Sequence, residues 1–304
     1  MLMLLERIRL TWWNTGLTPP NGRSRGASNS YNSCFKVLDE LTSVSELIGL
    51  CEIGDDDIAA LEVYASLNNW KLLPLLKKTP SNRSYFDHAV LYNPQVLEVE
   101  HYEDIISVMG NTFLKAAQHI KLKTKSYANP EFNLFISHWP SKVLEQNEQR
   151  AFAAQVLRLA IQPLLKSGEK VVLMGDYNDS PHSNLMNVQL QSTKCYAAVI
   201  SSLHSILYNP FWKLSTGEKG YTHLENNISS LSVGTNYYNG LSPEATKWQS
   251  FDQIIFSGNF LGGSEWHLDE PRTRIINIES IANLFSDKNS HVDHFPVTAH
   301  IVRP

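Results

Sequence analysis

Three observations predict a mixed α/β fold for this sequence. Short apolar runs recur along the chain, and several of them end on an acid, amide or imidazole side chain. Helical spacings separate some of these runs but not others, so hairpins stand among the crossovers, which points away from a doubly wound parallel sheet. With 42% hydrophobic and 18% charged residues over 304 positions, the chain has the apolar material for a packed core. One domain, residues 1–304, is expected, with a loop-rich insertion at about 184–249.

Ile8 to Trp13 reads as a buried strand that delivers Asn14 at its C-terminal end. Thr15 to Ser33, rich in Gly, Pro, Ser and Asn, reads as a loop; its Arg23 and Arg25 are either a cationic flap beside a site or incidental to a solvated segment. Val37, Leu38, Leu41, Val44 and Leu47 recur at helical spacing, and the apolar run Leu47 to Cys51 then fits a buried strand ending at Glu52. Asp55, Asp56 and Asp57 suit the first turn of a helix over Ile58 to Leu67, where negative charge complements the macrodipole; direct metal binding is the alternative. Tyr85 to Tyr92 reads as one strand, turning at Asn93-Pro94 into a hairpin partner over Val96 to Tyr102. Phe132 to Ser137 leads a strand into His138, Gln149 to Leu165 is an amphipathic helix, and Lys170 to Gly175 is a buried strand ending in Asp176. From Asn184 to Gln249 the pattern weakens into an embellished loop with a helix or two, the kind of segment that sets substrate choice. Phe251 to Phe256 and Phe295 to Val302 are the last expected strands.

The formal net charge of −4 leaves no global basic field for gripping nucleic acid, although a local basic rim would suffice for a nuclease. Cys34, Cys51 and Cys195 are too few and too scattered for a disulfide framework or a zinc site, and read as buried free thiols. The apolar start Met1 to Leu5 is short and is followed at once by Glu6, Arg7 and Arg9, unlike a secretory signal. No run approaches the roughly 20 apolar residues of a membrane span. A cytoplasmic protein is expected.

Six polar patches follow predicted strands: Trp13-Asn14, Cys51-Glu52, Ser137-His138-Trp139-Pro140, Gly175-Asp176-Tyr177-Asn178-Asp179, Ser250-Phe251-Asp252-Gln253-Ile254 and Val292-Asp293-His294-Phe295-Pro296-Val297. Polar groups so placed converge on one edge of a sheet. Hard divalent cations such as Mg²⁺ and Mn²⁺ take oxygen ligands, which Glu52, Asn14 and Asp293 offer, with Glu52 the first choice as direct ligand. His294 places a base beside Asp293, and Asp252 is the candidate acceptor for its second ring N–H. His138 can donate to phosphoryl oxygens, Asn178 can orient the same group, and Asp176 can hold the water or a second metal. The other histidines, His300 among them, are assigned no site role. Any one of these residues alone is weak evidence, since a histidine near an apolar strand is more often structural, and Asp-Tyr-Asn-Asp also suits a plain turn. It is the joint order that points to metal-assisted phosphate ester cleavage.

On these motifs the chain resembles the endonuclease/exonuclease/phosphatase superfamily, which includes deoxyribonuclease I and the exonuclease III-type abasic-site endonucleases, over nearly its whole length. The resemblance implies a deoxyribonuclease I-like four-layer α/β sandwich, two packed mixed β-sheets flanked by helices. It implies one or two Mg²⁺ or Mn²⁺ ions at Asn14, Glu52 and Asp293, and a His294–Asp252 base pair. His138 would act on the phosphate or leaving group, with Asp176 and Asn178 completing the site. Asp87 falls where the deoxyribonuclease branch carries an acid that polarises this histidine. The abasic-site enzymes typically have asparagine at the position of His138, so the chain looks closer to the deoxyribonuclease, sphingomyelinase and phosphatase branches. Lys142 is either a phosphate contact or a surface lysine.

The expected function is a metal-dependent phosphodiesterase, a nuclease acting on nucleic acid or nucleotides. Lys115, Lys121, Lys123 and Lys125 offer a basic stretch, and Tyr237, Tyr238 and Trp248 offer stacking surfaces; a solvated face and ordinary packing are the alternatives. The competing readings are a phosphatase or phosphodiesterase of a small molecule or lipid head group, such as an inositol phosphate, and a non-catalytic binding module using the same cleft.

Overall fold

The computed structural model describes residues 6–19, 28–80, 85–125, 130–142, 147–215, 234–238 and 247–304. Strand β1 (Glu6–Asn14) is followed by helix α1 (Ser28–Val44), β2 (Leu47–Cys51) and α2 (Asp55–Leu67). Short strands β3 (Lys71–Pro74), β4 (Lys77–Lys78), β5 (Tyr85–Phe86) and β6 (Ala89–Tyr92) precede a long hairpin of β7 (Leu97–Met109) and β8 (Thr112–Thr124). Next come β9 (Glu131–His138), α3 (Asn147–Lys166), β10 (Val171–Asp176), β11 (Ser192–Thr193), α4 (Tyr196–Ile200) and β12 (Leu207–Tyr208). The chain ends with β13 (Asn236–Tyr237), β14 (Trp248–Gln249), β15 (Asp252–Ser257), β16 (His267–Ile275), α5 (Glu279–Ser286) and β17 (Val297–Arg303).

Two mixed sheets dominate, one in the order β16-β17-β1-β2-β6-β3 and the other in the order β11-β12-β15-β10-β9-β8-β7. Alternation along the strands decides how they pack. Ile8, Leu10 and Trp12 of β1 turn inward with Ala299 and Ile301 of β17, and meet Leu134, Ile136, Val172, Met174 and Ile254 of the other sheet in one buried cluster. The outward residues of the first sheet, including Trp13, Ile48 and Leu50, pack under α1, α2 and α5. Those of the second, including Phe135, Leu173 and Ile255, pack under α3. Helix, sheet, sheet and helix therefore form four layers, as the resemblance implies.

Several expectations change. The Tyr85 to Tyr92 strand is broken at Asp87-His88, both buried, with β5 pairing β4 and β6 pairing β2 and β3. The hairpin across Asn93-Pro94 does not form: β7 crosses to the other sheet and pairs β8. Helix α1 begins at Ser28, inside the expected loop, while Arg23 and Arg25 lie outside the described residues. Strand β16 adds an edge strand beyond those expected, and within the expected insertion β11 and β12 extend the second sheet. Cys34 and Cys51 are buried free thiols but Cys195 is exposed. The Asp55–Asp57 run caps α2: Asp57 accepts hydrogen bonds from the Gly54 N–H at 2.8 Å, Thr18 Oγ1 at 2.7 Å and the Tyr31 hydroxyl at 2.9 Å. Among the described residues, no helix is long and apolar enough to cross a membrane.

Candidate active site

Strand register builds the site. β9 and β10 run parallel with His138 opposite Asp176, and β10 runs antiparallel to β15 with Asp176 opposite Asp252, so three candidate site residues stand in one row at one sheet edge. This close pairing needs Gly175, because a Cβ there would meet the Ser137 carbonyl oxygen at 2.3 Å. In the facing sheet β1 and β2 run parallel with Asn14 opposite Cys51, which puts Glu52 just past the strand end in a left-handed turn with φ 56°. The break between β5 and β6 turns Asp87 out of its sheet toward His138. Gly16 lets the following loop approach the 291–294 segment, since a Cβ there would lie 2.5 Å from the His291 carbonyl oxygen.

The two edges are tied together by side chains. Asn14 donates through Nδ2 to Glu52 Oε1 and to Asp176 Oδ2, both at 3.1 Å, while its Oδ1 accepts the Gly16 N–H. His294 Nδ1 bonds Asp252 Oδ2 at 2.7 Å and lies 3.8 Å from Asp176 Oδ2. His138 Nδ1 bonds Asp87 Oδ2 at 2.7 Å, and its Nε2 is 4.0 Å from Glu52 Oε1. Asn178, with φ 50°, donates its amide to the Trp139 carbonyl and its backbone N–H to Asp176 Oδ1. Asp293 is exposed beside the site, and Lys142 sits at the rim 3.9 Å from Asp179.

Sequence reasoning missed three supports. Trp12 donates its indole N–H to Asp252 Oδ1 at 3.0 Å, fixing the acid that holds His294. Lys115 donates to Asp87 Oδ1 at 2.6 Å, making a Lys115–Asp87–His138 chain. Thr235 accepts the Asp252 N–H through Oγ1 and the Phe295 N–H through its carbonyl, joining the two strand ends that carry Asp252 and His294. Only the alternation of β8 carried any signal for Lys115, and its position in a run of lysines hid it. Lys121, Lys123 and Lys125 lie instead at the opposite end of β8, where Lys121 and Lys123 pair with Glu131 and Lys125 approaches Glu98.

Burial raises the Glu52 carboxyl above its ordinary range, with Asp293 adding to the shift and His138 opposing it. Burial also raises Asp176, and Asp252 reinforces the effect against the pull of His294 and His138. Burial works the same way on Asp87, but His138 and Lys115 outweigh it and hold this carboxyl well below its usual range. For both histidines burial favours the neutral ring, yet Asp87 raises His138, and Asp252 with Asp176 and Asp293 carries His294 well above its ordinary value. Ligand atoms of Asp176, Asp252 and His294 lie within 4.8 Å of one another. Carboxylates crowded in a buried site and resisting ionisation fit a divalent cation, which would compensate their charge. The oxygen-rich donors Asn14, Glu52, Asp176 and Asp293 suit a hard ion, provided the Asn14 amide turns over to present Oδ1.

The sequence profile described as the Endonuclease/Exonuclease/phosphatase family matches residues 19–303. No curated protein matches the chain. Among solved structures, an endonuclease/exonuclease/phosphatase family protein from Bacteroides thetaiotaomicron is similar with a TM-score of 0.63 and 13% identity, over 99% of both chains. The human Nocturnin catalytic domain with bound sulfate has a TM-score of 0.61 at 14% identity, over 98% of this chain and 95% of that one. A humanized D. rerio TDP2 has a TM-score of 0.57 at 14% identity, over 97% and 98%. At these identities the solved structures speak for the fold, and the profile match speaks for descent. The chain belongs to the Endonuclease/Exonuclease/phosphatase family.

Proposed function

We propose that this chain is a divalent-metal-dependent phosphodiesterase that cleaves a nucleotide or a short nucleic acid strand by attack of water. The observation that carries this reading is the convergence of two histidine–aspartate pairs, His294–Asp252 and His138–Asp87, each bonded at 2.7 Å, on the half-buried carboxylate of Glu52 and the buried carboxylate of Asp176. Asn14, Glu52 and Asp293, with Asp176 beside them, are the residues to hold Mg²⁺ or Mn²⁺. When bound, such an ion would neutralise these carboxylates, favour the neutral form of His294 and polarise the phosphoryl group.

The remaining work falls to the protein. Asp252 holds the Nδ1 side of His294, leaving Nε2 to take a proton from the attacking water. Trp12 keeps Asp252 in place for that task. Asp87 holds Nδ1 of His138 and favours its protonated form, so Nε2–H can donate to a phosphoryl oxygen as charge builds. Asn178 rigidifies the turn after Asp176 through its bond to Trp139.

Tyr237 and Tyr238, 38% and 39% exposed, support a nucleotide substrate. They lie on or beside the β13–β14 hairpin, which bridges to His294 through Asn236, and offer rings for stacking. A second reading, a small phosphate ester, is favoured by a cavity of about 350 Å³ beyond Glu52 lined by Thr18, Asp55, Lys77, Lys78 and Tyr85. The displaced lysines of β8 weigh against a long nucleic acid footprint. Cleavage of single-stranded DNA, RNA, bis-p-nitrophenyl phosphate and inositol phosphates, compared side by side with Mg²⁺ or Mn²⁺, tests the assignment. Turnover of nucleic acid or the diester supports it, turnover of inositol phosphates alone moves the chain to the second reading, and no turnover of any substrate refutes both.

A further inference from the structure

We propose that the outer face of the β16–β17–β1 edge carries a phosphate-binding site formed by His300, Arg272 and Arg274. It is separate from the catalytic cluster and does not rest on the proposed function. Register places Asp269, His300 and Arg9 side by side across the three strands. Because Leu10, Ala299 and Ile301 turn into the core, His300 and Arg9 turn outward. Between Asp269 and Arg274 the register shifts, and such a bulge re-aims the side chains it carries. A cavity of about 490 Å³ lies there, lined by Asp269, Pro271, Arg272, Arg274 and His300.

The lining points to an anion. His300 is only 8% exposed, and its Nδ1 is buried with no hydrogen-bond partner among the described residues. The His300 side chain is one of those lining the cavity, so a ligand seated there meets the imidazole ring. Arg272 is steadied by Asp269 at 3.0 Å, while Arg274 is exposed and makes no ion pair among the described residues. Arg9 is occupied by Glu46, which takes its donors and offsets its charge, so the anion rests on His300, Arg272 and Arg274. Burial, then the charges of Arg7 and Arg272, push His300 down to about 4, leaving a neutral ring that can donate one N–H. The same arginines repel a cation, whereas a phosphate oxygen can accept from the ring and from guanidinium forks. Asn14 lies five positions beyond Arg9 along the strand, about 17 Å at strand rise, too far for one phosphate to serve both sites.

The test is a phosphate titration of the full chain labelled at histidine Cε1, followed by NMR at neutral pH, with sodium chloride at matched ionic strength as control. His300→Gln identifies the signal. The expected result is a saturable shift of the His300 signal with a Kd of about 1 mM. Arg274→Gln should weaken that Kd by about tenfold. A second titration with a short phosphorylated oligothymidylate distinguishes a free anion from a phosphate carried on a strand, and movement with either ligand supports the site. An unmoved His300 signal with both, an equal shift with sodium chloride, or an unchanged Kd in Arg274→Gln overturns it.

Discussion

Asp87 accepts two charge-assisted hydrogen bonds, from Lys115 at 2.6 Å and from His138 at 2.7 Å, and Asp87→Asn removes its charge while keeping its shape. An amide has one acceptor face and one donor face. If its oxygen stays on His138, its NH₂ confronts the Lys115 ammonium. If it turns over, the NH₂ faces His138 Nδ1, which must then accept, and the ring proton moves to Nε2. Either arrangement loses one charge-assisted bond, so about 3 kcal/mol of stability should go with the substitution. The mis-set ring should lower kcat by about 10² to 10⁴-fold, the range of a positioned acid or base. Adding Lys115→Met removes the clash and lets the amide oxygen return to His138, so the double variant should recover part of kcat. Steady-state cleavage of bis-p-nitrophenyl phosphate reads the rate and urea unfolding reads stability. A kcat within about threefold of wild type in Asp87→Asn, or purely additive losses in the double variant, would refute the reasoning.

Glu52→Gln should cut turnover and raise the Mg²⁺ concentration for half-maximal activity by about tenfold or more; an unchanged metal dependence removes Glu52 as principal ligand. His88 is fully buried, and burial lowers its pKa to about 3. Its folded value lies below the unfolded one near 6.5, so the unfolded chain alone gains a proton there and the stability from this residue is lost as pH falls from 6.5 toward 3. The gap in unfolding free energy between wild type and His88→Gln should therefore shrink by about 1.4 kcal/mol per pH unit below pH 6.5 and stay level above neutrality, and a gap that widens on acidification would contradict this. Replacing Lys121, Lys123 and Lys125 together by glutamine should leave single-stranded DNA cleavage and its salt dependence unchanged; a salt slope flattened by about 2 would place these lysines on the phosphates after all.

The strands that deliver the site were legible because they are buried on both faces. Leu47–Cys51 and Val171–Asp176 are unbroken buried runs, and a polar residue at such an end has few structural reasons to be there. Strand β16 was not legible: His267–Ile275 is polar, carries Pro271 and sits half-exposed at an edge, where packing imposes no pattern. The β6–β7 pairing expected across Asn93-Pro94 fails because that dipeptide signals a turn but not which sheet the chain enters next. Asp87 is a clear case of a contact that spacing cannot supply, since it reaches His138 across two sheets, 51 residues away. Lys115 shows the converse, a residue visible in a charged run whose partner only the tertiary fold selects.

The most direct measurement is kcat for bis-p-nitrophenyl phosphate with Mg²⁺ or Mn²⁺, wild type against His294→Ala, with folding checked by circular dichroism. Metal-dependent turnover in the wild type that is abolished in the folded variant is the predicted result. Full activity in His294→Ala, or wild-type turnover that survives chelation of the metal, would contradict the central claim.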